Sequence, residues 1–361
     1  MGLKHLCVIT RNMKAGGAER VISHLLKYAN TKNVKISLIL IDKAEIQYDL
    51  SDKCQIYDIG KLGSKSLTDK YLRYKKVRKL VKKVNPDLVL SMPEDIGIYV
   101  ILALLGTKYP VVISERNNPW VMPNKKISRV LRKLMYPFAT GFIFQTKQAQ
   151  SFFSRKIQSK GIVLPNPVDV SMLPAPYQGE REKIIVGAGR LEPQKNFSLL
   201  IDSFAEFYKS HSDYRLVIYG EGRLKEELMA HAKGKLPTTA FEFAGRVSDL
   251  PERLNKATAF VLSSDFEGMP NVLIEAMACG VPSISTDCPS GGSAELIEDG
   301  VNGILVPVGG REQLTNSLHL LVDKAETREK ISCNAIKVRE TLNAEVIVEK
   351  WFDYIKGTSK N

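Results

Sequence analysis

The chain has 361 residues, 44% hydrophobic and 25% charged, which excludes a disordered or low-complexity protein and is a soft expectation of two domains. Its longest uncharged apolar run, 96–105, is about half a bilayer span, and residues 1–9 read as a first strand rather than a signal peptide, so no transmembrane helix is expected. The net charge of +13 is uneven: residues 1–172 hold 30 Lys and Arg against 12 Asp and Glu, a balance of +18, while 173–361 hold 22 against 27, or −5.

In chain order, short apolar or β-branched runs at 5–10, 35–41, 87–91, 111–114, 141–145 and 161–164 alternate with helical patterns, which predicts βαβ units around a parallel sheet. After the first run comes Gly16-Gly17, and a double glycine at a helix start exposes backbone amides to an anion. Residues 61–83 contain ten Lys or Arg and one acid, with Tyr74, Val77, Val81 and Val84 at helical spacing. After the fourth run the chain reads Ile113-Ser114-Glu115-Arg116-Asn117-Asn118-Pro119, then a bulky loop, Trp120-Val121-Met122-Pro123. A second basic stripe follows, Lys125, Lys126, Arg129, Arg132 and Lys133, opposite Ile127, Val130, Leu131 and Leu134. Five dispersed cysteines, an odd number with no CxxC, imply reduced thiols and a cytoplasmic setting; five scattered histidines give a zinc site little support.

Residues 164–176 carry four prolines and read as an interdomain linker. The alternation restarts with strands near 183–188, 215–219, 240–243, 258–262, 282–286 and 303–306, a second Rossmann-like unit. After its first strand, Gly187-Ala188-Gly189-Arg190-Leu191-Glu192-Pro193-Gln194-Lys195-Asn196 holds two cations in the loop leading to a helix. Arg grips phosphate oxygens bidentately and Lys supplies a point charge, which suits a diphosphate leaving group gaining negative charge. The glycines lack the G-x-G-x-x-G spacing, so a dinucleotide-binding reading is weak. Tyr219-Gly220-Glu221-Gly222 and Phe243-Ala244-Gly245-Arg246-Val247 follow the next strands, where glycine permits close approach of backbone to ligand.

The most informative block follows the strand at 258–262. Glu267 precedes the turn Gly268-Met269-Pro270-Asn271, and Glu275 lies within a helix read from Val272 to Ala278. A helix N-terminus favours a phosphate, and flanking carboxylates accept hydrogen bonds from sugar hydroxyls. This block resembles the E-x7-E signature of the retaining glycosyltransferases of family four, which have the GT-B fold. The Gly189-to-Asn196 loop resembles that family's G-R-x-x-x-x-K-N segment, and Gly16-Gly17-Ala18-Glu19-Arg20 its N-terminal glycine loop.

The resemblance implies an α/β chain of two Rossmann-like domains facing across a cleft: an acceptor domain over 1–170, a nucleotide-sugar domain over 171–344, and a C-terminal helix over 345–361 crossing back to the first domain. It implies Arg190, Lys195 and Glu267 as the catalytic group. Donor contacts would come from Gly17, Arg116, Arg190, Lys195, Gly220, Arg246, Val247, Glu267, Gly268, Met269, Pro270, Asn271, Val272 and Glu275. Many relatives carry a histidine near the acceptor hydroxyl where this chain has Arg116, which stays protonated and is no general base; an acceptor phosphate or a donor hydroxyl suits it better.

The implied function is retaining transfer of a hexose or N-acetylhexosamine from a UDP-sugar to a polyprenyl-diphosphate-linked or other glycan acceptor, with α configuration and no metal. A nucleotide-sugar epimerase of the same fold is the alternative. The basic first half and the Trp120 loop suggest an anionic membrane surface and an enzyme peripheral to the inner face of the cell membrane. Nucleic acid is the weaker partner, because no RNA-recognition or helix-turn-helix pattern accompanies the basic runs.

Overall fold

The computed structural model describes residues 3–14, 16–42, 46–48, 50, 53–60 and 67–359, and the side chains of all of these but 67–70. Lys61 and Lys65 of the first basic run lie outside the described residues. The chain divides into two compact units, Met1–Pro167 with Ala344–Asn361, and Val168–Asn343.

The first unit holds a parallel sheet of β1 (His5–Thr10), β2 (Lys35–Leu40), β3 (Cys54–Asp58), β4 (Leu88–Ser91), β5 (Val111–Ser114), β6 (Gly141–Phe144) and β7 (Gly161–Val163), in the order β3-β2-β1-β4-β5-β6-β7. Its helices are α1 (Gly17–Thr31), α2 (Leu67–Val84), α3 (Glu94–Leu104), α4 (Lys126–Met135), α5 (Lys147–Ser151) and α6 (Arg155–Gln158). The second unit pairs β8 (Glu182–Ala188), β9 (Arg215–Tyr219), β10 (Phe241–Gly245), β11 (Ala257–Leu262), β12 (Ser283–Thr286) and β13 (Ile304–Val306) in the order β10-β9-β8-β11-β12-β13. With them go α7 (Phe197–Tyr208), α8 (Lys225–Lys233), α9 (Leu250–Asn255), α10 (Asn271–Ala278), α11 (Arg311–Asp323), α12 (Ala325–Ala335) and α13 (Val338–Thr341). The last helix, α14 (Ala344–Thr358), belongs to the first unit.

Central strands such as Leu6-Cys7-Val8-Ile9 and Ala259-Phe260-Val261-Leu262 are buried along their length, because a parallel sheet is covered on both faces. Each sheet accordingly has a separate apolar cluster on either face. Strand β3 was not among the sequence-based expectations. It is an edge strand whose Gln55 and Ile56 are exposed, so it lacks the apolar run of its neighbours.

Helix α14 docks through Ile347, Val348, Trp351, Phe352 and Ile355, one helical stripe, all buried with α1 and the sheet. Phe352 meets Tyr28 at 5.0 Å, and the Tyr354 hydroxyl accepts from the Phe142 amide at 2.9 Å. The boundary at Pro167 falls just before the expected 170, and Val168 already belongs to the second unit: its side chain is buried there and its amide donates to Leu342 O at 2.8 Å.

One surface differs from expectation. Arg132 does not stand in an outward basic stripe: it is buried and donates to the Pro119 and Met122 carbonyls, both at 2.8 Å. Its guanidinium also lies 4.8 Å from the Phe152 ring centre. A guanidinium carries five donors in a planar fork, so two carbonyls and an aromatic face can satisfy it inside, and Arg132 is thereby turned in beside half-buried Leu131 and Met135 while Lys126, Arg129 and Lys133 stay exposed.

Candidate active site

In the second unit the chain winds from β8 outward to β9 and β10, then returns to the other side of β8 as β11. The strand order reverses between β8 and β11, and ligands of open α/β sheets bind at such a point, beyond the carboxyl ends of the strands. The loops that leave β8 and β11 carry Lys195 and Glu267.

Those two loops are laced together. Gln194 Nε2 donates to Phe266 O at 2.8 Å, the Asp265 amide donates to Gln194 O at 2.9 Å, and Ser263 Oγ donates to Lys195 O at 3.0 Å. Asn196 has a left-handed backbone, φ 42° and ψ 50°; its Oδ1 caps α7 by accepting from the Leu199 amide, and its Nδ2 donates to Asp265 Oδ1 at 2.7 Å. The lacing brings Lys195 Nζ to 2.5 Å from Glu267 Oε1, which also accepts from Ser264 Oγ at 2.7 Å. Ser290 Oγ donates to Glu267 O, fixing the backbone at the same residue. An ammonium has three donors, so one bond to Glu267 leaves Lys195 capacity for a ligand oxygen. Arg190 is exposed at the same edge, with no ion pair among the described residues.

Backbone closes the rest of this edge. Gly220 has φ +142°, and a Cβ there would lie 1.8 Å from Gly189 O; its amide donates to Gly245 O at 2.8 Å. The loops after β8, β9 and β10 therefore run backbone against backbone, ending in exposed Arg246 and half-buried Val247. A Cβ at Gly292 would lie 1.7 Å from Gly268 O, so this glycine lets another loop close on the turn before α10. Helix α10 opens at Asn271, one residue earlier than read from sequence, after Pro270, with no side-chain cap. Met269 and Pro270 are buried, and Asn271 and Val272 half-buried. Glu267 and Glu275 are each 7% exposed, so both carboxylates are enclosed rather than standing on an open rim.

Gly17 and Arg116 lie in the first unit. Gly17 is the first residue of α1, after extended Gly16, whose carbonyl accepts from the Tyr48 hydroxyl at 2.9 Å. Arg116 is 7% exposed; its amide donates to Glu94 Oε2 at 3.2 Å, its Nη2 donates to Asn166 Oδ1, and its guanidinium lies 5.7 Å from the Trp351 ring centre. Its Nε and Nη1 are buried with no hydrogen-bond partner. Burial lowers its pKa to about 10, which still leaves it charged at neutral pH.

Sequence reading missed the acids around it. Glu94 and Glu115 are each 1% exposed; Asn117 Nδ2 donates to Glu94 Oε1 at 2.9 Å, and the Tyr136 hydroxyl donates to Glu115. Burial, then the charge of Glu94, pushes the Glu115 carboxyl up to about 8. The adjacency of Glu115 and Arg116 after a buried strand was the available signal. Also missed were Gln194, Ser263, Ser290 and Gly292, short or polar loop residues whose partners are far away in sequence, and Ser264, which bonds Glu267 within the same loop. His211, His319 and Asp323, whose ligand atoms lie close enough together to hold a metal ion, sit where α7 and α11 end, at the amino-terminal edge of the second sheet, so they are no part of this site.

A family profile described as glycosyl transferases group 1 matches residues 175–338, and one described as glycosyl transferase 4-like matches residues 15–146. The chain belongs to the group 1 glycosyltransferases. This glycosyltransferase is 29% identical over 353 residues to the Campylobacter jejuni GalNAc-alpha-(1->4)-GalNAc-alpha-(1->3)-diNAcBac-PP-undecaprenol alpha-1,4-N-acetyl-D-galactosaminyltransferase, covering 96% of this chain and 97% of that one. It is 28% identical over 352 residues to a second Campylobacter jejuni protein, N-acetylgalactosamine-N,N'-diacetylbacillosaminyl-diphospho-undecaprenol 4-alpha-N-acetylgalactosaminyltransferase, covering 91% and 92%. Among solved structures it resembles Anabaena HepE in complex with UDP and glucose, with a TM-score of 0.80 and 18% identity over 97% and 98% of the two chains. Its two parallel-sheet domains are those of the GT-B fold.

Proposed function

We propose that the protein transfers a hexose or N-acetylhexosamine from a UDP-sugar to a polyprenyl-diphosphate-linked glycan, with retention of the α configuration. The observation that carries this reading is the laced pair Lys195–Glu267 at the β8/β11 switch point, beside exposed Arg190 and the start of α10. Negative charge grows on the diphosphate as the glycosidic bond breaks, and preorganised cations and amides at that place stabilise the transition state more than the ground state. Glu267, with one oxygen held by Lys195 and Ser264, keeps acceptor capacity for a sugar hydroxyl.

The UDP donor is supported by the fold shared with a UDP complex, and the lipid-linked acceptor and α-linkage by the names of the two Campylobacter relatives. Arg116, charged and buried in the first unit, suits an acceptor phosphate or a donor hydroxyl. Peripheral work at the inner face of the membrane agrees with a +18 balance over residues 1–172 and with no described helix long and apolar enough to cross a bilayer.

The test is a panel of UDP-sugars, each incubated with and without an undecaprenyl-diphosphate-linked glycan, with products read by mass spectrometry and the anomeric configuration by NMR. Acceptor-dependent transfer with an α-linked product is expected. UDP or free sugar released without acceptor, as an epimerase would do, overturns the reading, and so does a β-linked product.

A further inference from the structure

Helix α4 carries its apolar stripe outward. Ile127, Val130 and Leu134, at i, i+3 and i+7, are 68%, 58% and 56% exposed, whereas buried Arg132 and half-buried Leu131 and Met135 face inward. Phe138, 60% exposed, extends the stripe past the helix end, and Trp120, 42% exposed, meets Phe152 edge-on at 5.1 Å. Exposed Lys125, Lys126 and Lys133 accompany the stripe. Arg129 donates to Pro123 O at 2.9 Å and Val121 O at 2.7 Å, and with Arg132 it ties the Trp120 loop to the helix, so helix and loop form one surface.

The opposite arrangement is seen in α2. There Val77 and Val81 are buried and Lys75, Lys76, Lys79, Lys82 and Lys83 point to solvent, with Tyr71 and Leu72 exposed near the helix start, so what α2 offers a lipid surface is mostly charge. Water penalises an exposed aliphatic stripe, and a patch of this kind marks an interaction site. A bilayer interface accepts both parts at once: aliphatic and aromatic side chains enter the boundary of the acyl chains while ammonium groups meet lipid phosphates. A second copy of this chain would cover the apolar stripe but would set the same lysines against each other, which charge complementarity disfavours.

We propose that α4 lies in the surface of an anionic bilayer, with Ile127, Val130 and Leu134 inserted at the acyl boundary and Trp120 and Phe138 beside them. The inference rests on the lipid-linked acceptor reading only in taking a membrane as the partner. It assigns the attachment to insertion by α4 rather than to the lysines of α2.

The experiment is co-sedimentation with vesicles of phosphatidylcholine alone or mixed with phosphatidylglycerol, at low and high salt, using wild type, Ile127→Ser/Val130→Ser/Leu134→Ser, and Lys75→Gln/Lys76→Gln/Lys79→Gln. The serine variant is expected to lose about tenfold or more in vesicle affinity, while the glutamine variant loses only the salt-sensitive part. Wild type should keep measurable binding at high salt. Because the three positions are exposed, thermal unfolding should be unchanged; if the triple variant does not fold, Ile127→Glu alone reads the same loss. Serine-variant binding equal to wild type overturns the proposal. So does an absence of wild-type binding, or a wild-type dimer in sedimentation velocity that the serine variant loses. Transfer to acceptor solubilised in detergent is measured in parallel: if it fails, the glycosyl-transfer reading falls, whereas the vesicle result stands by itself.

Discussion

Lys195 Nζ lies 2.5 Å from Glu267 Oε1 across the β8/β11 reversal, with side chains only 12% and 9% exposed. A pair this enclosed is poorly screened by solvent, and its members are unequal to remove. Glu267→Ala strands a buried ammonium and is expected to cost roughly 3 kcal/mol of stability. Glu267→Gln keeps the shape and an acceptor oxygen for the Lys195 ammonium and should lose less stability than Glu267→Ala, yet lose at least about tenfold in turnover. Thermal unfolding and steady-state kinetics on both variants check this; a fully active Glu267→Gln would remove the carboxylate from the chemistry.

Lys195→Ala and Arg190→Ala should lower kcat more than they weaken UDP binding, because the charge they meet grows as the diphosphate departs. Calorimetry with UDP beside initial rates separates the two. Equal losses in affinity and kcat/KM, with kcat intact, would make both residues simple donor ligands.

Gly220→Ala places a methyl 1.8 Å from Gly189 O at φ +142°, a conformation L-residues avoid. It should lower Tm strongly and abolish UDP binding, since the loops after β8 and β9 must separate. Gly357→Ala is the control: nothing lies within 4 Å of its Cβ in α14, and it should gain up to about 1 kcal/mol of stability. A Gly220→Ala protein that melts and binds UDP like wild type would show that the close backbone contact is dispensable.

The Glu115 carboxyl, held at about 8 by burial and by Glu94 against the opposing pull of Arg132 and Tyr136, predicts a pH dependence of stability. Its folded pKa lies above its unfolded value of 4.5, so the folded state binds the proton more tightly. That contribution is fully present below pH ~4.5, declines as pH rises, and is lost above pH ~8, a difference on the order of a few kcal/mol. Glu115→Gln should flatten the slope over that window in chemical denaturation at several pH values. An unchanged slope would place the proton elsewhere, with Glu94, also raised by burial, the next carboxyl to replace.

Transition-state charge in this scheme is met by Arg190, Lys195 and helix amides, so a chelator should leave the initial rate unchanged. Strict dependence on magnesium or manganese would contradict it.

Much of this was written locally in the chain. Both parallel sheets follow from apolar runs spaced by helical patterns, because strand and helix periods need only near neighbours to be recognised, whereas α14 was expected from the family resemblance alone. The Arg190-to-Asn196 loop and the Glu267-to-Glu275 block could be picked out as candidate donor-binding segments because each is contiguous after one strand and resembles a family motif. Edge strand β3 was not, since half-exposed pairing leaves no apolar run. Which residues meet across 72 positions, as Lys195 and Glu267 do, is decided by the winding order of the sheet and by Gln194, Asn196 and Ser263, whose partners no local pattern names. Burial of Glu94, Glu115 and Arg116 likewise depends on what covers them. Helix α4 shows the limit most sharply: its sequence declares one apolar and one basic side, but periodicity has no sign, and only packing against Pro119, Met122 and Phe152 turns Arg132 inward and leaves Ile127, Val130 and Leu134 facing out.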